Sequence, residues 1–254
     1  MNPKFWRIIL LLAEYAARTA LITARPADLR TKSQLRLRLF QSITKRAVRA
    51  LDLELMVEGR ADLLEEMRPY VVLGNHLSYL DMIVLGSVYP CIFVSSVERR
   101  DDAGLGMLAK CAGTIFVDRI NKSKLPDDIR EIARHLDAGL PLCLYLEGTT
   151  SNGRGILPFK SSLLKAIEAR DAEVLPICVR YTHADGEPIA DDNIDRIAWY
   201  GDMDFFSHFL QLTTLRSIRA ELTVLEPLRT GGRLDRKEIA RAAHQAISAV
   251  FHRS

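Results

Sequence analysis

The sequence predicts an α/β fold: a mostly parallel central sheet flanked by helices, preceded by a two-helix hairpin. Three observations predict it. After residue 52, short apolar runs of strand length alternate with longer stretches of helical spacing. Runs such as YVVL (70–73) and LCLYL (142–146) are apolar without a break, the pattern of strands covered on both faces. And 254 residues suffice for one such domain with additions.

The chain divides into a helical arm, 1–51, and an α/β body, 52–254. Residues 5–22, FWRIILLLAEYAARTALI, are strongly apolar, yet Arg7, Glu14 and Arg18 interrupt them. A membrane-spanning helix needs about 20 largely apolar residues with few charges. ARTA and ITA mimic the cleavage site of a secretory leader. The four cysteines, Cys91, Cys111, Cys143 and Cys178, give that no support, since they read as reduced core residues. An interfacial helix with Trp6 and Tyr15 as amphipathic anchors fits better. Arg25-Pro26 breaks the hairpin, and 28–51 (LRLRLF, ITKRAVRAL) continues as a second, basic helix.

Charge separates the two parts. Residues 1–50 carry eleven Lys/Arg against Glu14 and Asp28, a net +9; the rest carries 24 Lys/Arg against 30 Asp/Glu, a net −6. A basic arm on an acidic body points to an anionic surface. Its density of Leu, Ile and Trp favours lipid over nucleic acid. The expectation is a monotopic protein on the cytoplasmic face of the inner membrane. The alternative is a hairpin packed on the body with a solvated basic face.

In the body, strands are expected at 53–57, 70–74, 91–95, 114–118, 142–146, 174–179 and 221–226. Helices are expected at about 80–88, 103–111, 125–138, 159–169, 204–215 and 235–251. Ligand sites of such sheets gather at the carboxyl ends of the strands, so polar residues directly after a strand carry the functional information. Four clusters stand there. Asn75 and His76 follow YVVLG, with Asp81 in the first turn of the next helix; a carboxylate on one ring nitrogen fixes the tautomer that lets the other accept a proton. In GTIFVDR (113–119), Arg119 follows a strand and can grip a phosphate or carboxylate. In LYLEGTTSNGRG (144–155), Glu147 and Gly148 end a strand, and backbone N–H groups and hydroxyls of Thr149, Thr150 and Ser151 suit a polar head group. In VLPICV (174–179), Pro176 removes a ladder bond and so marks a sheet edge or a bulge. Taken singly, each has a plain structural explanation: a satisfied core histidine, a surface ion pair, an ordinary turn.

In this order, NHLSYLD (75–81), GTIFVDR (113–119), EGTTS (147–151) and VLPICV (174–179) resemble the glycerolipid acyltransferases related to 1-acylglycerol-3-phosphate O-acyltransferase. The resemblance spans roughly 52–226. It implies transfer of a fatty acyl group from acyl-CoA or acyl carrier protein to a hydroxyl of a lysolipid. His76 would be the general base and Asp81 its orienting partner. Asn75, Gly113, Phe116, Arg119, Glu147, Gly148, Thr149, Thr150 and Ser151 would bind the acceptor, and Pro176 would shape the pocket. The family also implies a membrane-associated N-terminal segment, no metal, and no cofactor beyond the thioester co-substrate.

One residue departs from the family pattern. Members that form phosphatidic acid usually read E-G-T-R-S in the third motif, where this chain has Thr150. E-G-T-T-S resembles the branch that acylates lyso-ornithine lipid, whose head group is an amino acid without phosphate. Competing readings are a lipid ester hydrolase, which lacks a G-x-S-x-G elbow here, and a membrane-binding module without chemistry.

Overall fold

The computed structural model describes residues 2–102, 105–168, 170–231 and 234–252. Helix α1 (Pro3–Ala24) starts at Asn2, whose side chain accepts the Phe5 N–H, with proline in the first turn. It stops at Arg25, before Pro26, and α2 (Leu29–Ala50) starts at Asp28, which accepts the Thr31 N–H. The hairpin is as expected, but Tyr15 is not an interfacial anchor. It is 2% exposed and packs beside Phe40, because it shares the inward stripe of Phe5, Ile8, Leu11 and Thr19 at helical spacing. That stripe belongs to the same core as the sheet.

The body begins with β1 (Leu53–Gly59), a short α3 (Asp62–Glu65), β2 (Val71–Gly74), α4 (Leu80–Val88), β3 (Ile92–Ser96), α5 (Leu105–Ala112), β4 (Ile115–Val117), α6 (Leu125–Asp137) and β5 (Leu142–Leu144). It continues with β6 (Glu173–Ala184), β7 (Glu187–Pro188), α7 (Phe205–Thr214), β8 (Ile218–Val224), β9 (Leu228–Arg229) and α8 (Arg236–Phe251). The sheet order is β1-β8-β6-β2-β5-β3-β4. Pairing is parallel along β6-β2-β5-β3-β4 and between β1 and β8, and antiparallel at β6–β8.

Period-two alternation assigns each strand residue to one of two cores. Val72, Phe93, Cys143 and Leu175 face α1, α2, α4 and α7. Val71, Leu73, Ile92, Val94, Leu142 and Leu144 face α6 and α8. On the first side α4 abuts α2 closely: a Cβ on Gly86 would lie 2.2 Å from the Phe40 ring.

Three expectations need correction. Residues 159–169 are not an α-helix but a 3-10 turn, Ser162–Ala166; the Lys160 N–H bonds the Leu146 carbonyl and straps the segment to β5, and Ser161 offers no side-chain cap. Pro176 marks neither a sheet edge nor a bulge. It lies inside β6, an interior strand, opposite Leu73, and the register shift falls at Tyr181/His183 instead. Its missing N–H falls where β8 gives way to β9, the side on which its carbonyl accepts the Leu225 N–H. Finally, β6 runs five residues past its expected end and turns back through Asp185 and Gly186, both at positive φ, the Asp-Gly pair of a tight hairpin. Residues 103, 104 and 169 of the expected helices lie outside the described residues.

Candidate active site

The loop from β2 to α4 carries the first cluster. Asp81 is fully buried and gathers four donors on one carboxylate. Oδ2 is 2.8 Å from His76 Nδ1 and accepts the N–H groups of Leu77 (2.7 Å) and Ser78 (2.9 Å). Oδ1 accepts the Tyr181 hydroxyl at 2.7 Å. Backbone N–H donors at a helix start suit a buried carboxylate. With Nδ1 held by Asp81, His76 Nε2 has no hydrogen-bond partner among the described residues, and the side chain is 18% exposed. The ring lies flat on Tyr145, centroids 4.1 Å apart and planes within 4°. Burial, with Cys143 and Asp81 adding to it, holds the Tyr145 hydroxyl protonated, well above the usual tyrosine range. Gly74 makes the stack possible, since a Cβ there would press on Ile177 (3.1 Å) and the Tyr145 ring (3.3 Å).

The backbone of His76 is clamped on both sides by the third cluster. Its N–H donates to Glu147 Oε1 at 2.7 Å, and its carbonyl accepts the Ser151 N–H at 2.8 Å. Glu147 Oε2 accepts the Leu157 N–H at 2.8 Å. Burial raises the Glu147 carboxyl to about 7, against the lowering effect of those two N–H donors. Asn75 is equally internal: its side chain exchanges two 2.8 Å bonds with the Val179 N–H and carbonyl and extends the ladder to β6. Asn75, Glu147 and Ser151 therefore brace the His76 loop through bonds to backbone groups. Thr149 is exposed and Thr150 half-buried; neither side chain has a hydrogen-bond partner among the described residues.

A cleft of about 240 Å³ opens beside this loop at the ends of β3, β4 and β5, lined by Val94, Val117, Asp118, Arg119, Asp128, Leu144, Tyr145, Gly148, Lys160 and Leu163 among others. Arg119 donates to the Gly148 carbonyl; burial, aided by the charge of Arg99, lowers its pKa. Gly148 sits at φ +78°, and a Cβ on it would lie 3.0 Å from Lys160 Nζ and 3.5 Å from Arg119 Nη1. Two cations thus converge on the open face of one glycine.

Not every sequence candidate arrives here. Gly113 ends α5 at φ +74° beside Arg36. It precedes β4 while Arg119 follows it, a separation of about 20 Å along an extended chain. Phe116 alternates with Ile115 and Val117 and so faces away from the cleft that Val117 lines. Pro176 is not among the residues that line the cleft at the ends of β3, β4 and β5. Arg154 is turned outward to Asp191. Three residues escaped sequence reading. Tyr145 fell within an expected strand and Lys160 within an expected helix, and neither was singled out. Tyr181 lies 100 residues from the carboxylate it touches, with no local signal.

Comparison with known proteins places the chain in a family. The family model described as Acyltransferase matches residues 55–180. The chain is 32% identical over 195 residues to a lyso-ornithine lipid O-acyltransferase of Brucella abortus, covering 74% of this chain and 73% of that protein. It is also 32% identical to a 1-acyl-sn-glycerol-3-phosphate acyltransferase of Neisseria gonorrhoeae, covering 59% and 58%. Its fold matches the crystal structure of the 1-acyl-sn-glycerophosphate (LPA) acyltransferase PlsC from Thermotoga maritima, with a TM-score of 0.64 at 18% identity over 98% of this chain and 96% of that one. With the first relative matched over most of both lengths, and the family's region spanning both the His76 loop and the Glu147 loop, the chain belongs to the acyltransferase family.

Proposed function

We propose that the protein transfers a fatty acyl group from an acyl thioester, acyl-CoA or acyl carrier protein, to the free hydroxyl of a lysolipid. The observation that carries this reading is the His76–Asp81 pair, with Nδ1 engaged at 2.8 Å and Nε2 free. His76 Nε2 takes the acceptor's hydroxyl proton. The oxygen attacks the thioester carbonyl, the C–O bond forms, and the C–S bond breaks. The imidazolium returns its proton to the departing thiolate. Asp81 fixes the tautomer and stabilises the cationic ring. A thioester is already activated, so a positioned base suffices and neither acyl-enzyme nor metal is called for. A serine-based hydrolase has less support: Ser78 is fully buried, and Ser151 Oγ is turned to the Gly153 N–H.

For the acceptor, the neutral Thr150 in place of an arginine favours a lysolipid without a terminal phosphate, of the lyso-ornithine class. A phosphate monoester in a partly dry site asks for fixed cations, and the relative from Brucella abortus carries that acceptor in its name.

The lipid substrate calls for a membrane surface. Among the described residues no helix is long and apolar enough to cross one. On α1, Trp6, Leu10 and Leu21 are 52%, 68% and 67% exposed. On the same two helices Arg7, Arg30, Arg38, Lys45 and Arg49, with Arg25 at the end of α1, are exposed and form no ion pair among the described residues. Exposed apolar side chains on a hairpin that also carries exposed cations suit monotopic docking on an anionic, cytoplasmic leaflet.

The test is purified protein with both thioester donors and lysolipids with and without phosphate. Turnover is expected with a lysolipid acceptor, and His76→Ala is expected to lose ~10²–10⁴ of it as a missing general base while keeping the wild-type circular dichroism. Near-normal transfer by folded His76→Ala protein would overturn the mechanism.

A further inference from the structure

The His76 ring is held at one atom and on one face. Asp81 engages Nδ1 at 2.8 Å, which fixes the tautomer but leaves the ring free to tilt about that bond. Tyr145 removes the freedom. Its ring lies 4.1 Å from the imidazole, with the two planes within 4°. Phe93 backs the Tyr145 ring at 6.1 Å with the planes 18° apart. The Gly148 N–H donates to the Tyr145 carbonyl at 3.1 Å and holds the chain just past the end of β5. Tyr145 is 7% exposed, and its buried hydroxyl has no hydrogen-bond partner among the described residues. What this side chain offers the site is therefore its face, not its hydroxyl.

The face of an aromatic ring carries partial negative charge. Two neutral rings already gain from stacking, but a cation over the face gains more, and most where water is excluded. Proton transfer from the acceptor hydroxyl to Nε2 turns the neutral imidazole into an imidazolium. The attraction to Tyr145 thus grows along the reaction, and an interaction stronger in the transition state than in the ground state lowers the barrier. We infer that Tyr145 is a positioning residue for the base: its ring fixes the plane of the His76 imidazole and stabilises the imidazolium that forms when Nε2 takes the proton. No bond to Tyr145 forms or breaks, and the proton passes on from Nε2 to the departing thiolate. The inference rests on the acyl-transfer reading and adds to it a residue that acts through His76.

The experiment reads kcat and the titration of His76 in variants at position 145. Tyr145→Leu keeps an apolar side chain and removes the ring. It is expected to lower kcat about tenfold with little change in KM, and His76 is expected to give up its proton at lower pH. Tyr145→Phe restores the ring and is expected to recover most of that loss. Phenylalanines bearing one, two or three ring fluorines at this position keep the shape and progressively drain the face of negative charge. Both kcat and the titration midpoint of His76 are expected to fall stepwise along that series. The titration is followed by NMR on the ring carbon protons of His76 in the substrate-free protein, identified by their absence from His76→Ala. That separates it from Glu147, whose carboxyl titrates at about 7. The other titratable groups of the site, Asp81, Tyr181 from β6, and Arg119 and Lys160 at Gly148, are common to every variant. Equal kcat and equal titration across the fluorinated series would make Tyr145 a packing residue. That result overturns the inference, even where Tyr145→Leu is inactive or unfolded, and leaves the acyltransferase reading standing. Absence of transfer by the unaltered protein to any lysolipid with either donor instead overturns the proposed function.

Discussion

Asp81 shows how much of the candidate chemistry is a matter of donors on one carboxylate. Its charge sits in a fully buried site, and four hydrogen bonds compensate it there. Three come from residues of its own loop; the fourth comes from Tyr181 on β6. Tyr181→Phe removes that donor without changing shape and leaves Oδ1 buried and unpaired, at a cost of about 1–3 kcal/mol in stability. With one donor fewer, Asp81 keeps more negative charge for the imidazolium, so the acid limb of the pH–rate profile should move to higher pH. Thermal unfolding and a pH–rate profile check the two halves separately. A destabilised variant with an unmoved profile would make Tyr181 a packing residue alone.

At the scale of elements, the site is a join between the β2–α4 loop and the segment that follows β5. Glu147 makes the join by accepting one N–H from each side. Its carboxyl is raised by burial to about 7 in the fold, above the ordinary glutamate value of about 4.3 that the unfolded chain shows. A folded state that holds its proton more tightly is stabilised at low pH by this group, and that contribution is lost as pH rises from about 4.3 through 7. Glu147→Gln removes the titration and turns an NH₂ group toward one of the two donors. The expected outcome is a melting temperature that falls less between pH 5 and 7.5 than in the unaltered protein, together with a loosened His76 loop and a lower kcat. Equal slopes in the two proteins would show that Glu147 ionises without cost. A column of rings connects the same site to the hairpin: His76 on Tyr145, Tyr145 on Phe93 at 6.1 Å, Phe93 on Phe40 at 5.8 Å, and Phe40 beside Tyr15. The helices proposed to meet the membrane are thus packed, ring on ring, against the residue proposed to act on its lipids.

At the scale of the molecule, the hairpin serves two surfaces. Its inner stripe completes the core on one face of the sheet, and its outer stripe of Trp6, Leu10 and Leu21 is open to solvent. Burial of an exposed large apolar side chain contributes about 1.5–3 kcal/mol, and partial insertion a fraction of it. Replacing Trp6, Leu10 and Leu21 together with serine should weaken partition onto anionic vesicles by at least tenfold. Activity on detergent-dispersed substrate should remain. Co-sedimentation at low and high salt measures both contributions: the unaltered protein should bind less at high salt but retain an apolar remainder. Unchanged binding of the triple variant would place the docking surface elsewhere.

The sequence by itself determined the alternation of strand and helix, the hairpin broken at Arg25-Pro26, the positions of His76, Arg119 and Glu147 after strands, and that of Asp81 in the first turn of the next helix. These follow from local rules: side-chain period, capping residues and the polar residue after an apolar run. The meeting of His76 with Asp81, now seen at 2.8 Å, was an open expectation, since a turn between strand and helix can bring residues five apart together. What a polar residue faces was not legible. Asn75, Glu147 and Ser151 share the strand-end positions of ligand-binding residues, yet their partners are backbone groups of other segments. Gly113 lies in the same motif as Arg119, yet a strand carries the two to opposite ends of the sheet. Tyr181 and Lys160 reach the site from β6 and from the strap after β5, across sequence distances at which no pattern operates. Which side chains share a space depends on sheet order and register, and those are set by long-range packing of the two cores. The tertiary structure alone therefore decided that Glu147 would brace a loop while Asp118 and Asp128 would line a cleft.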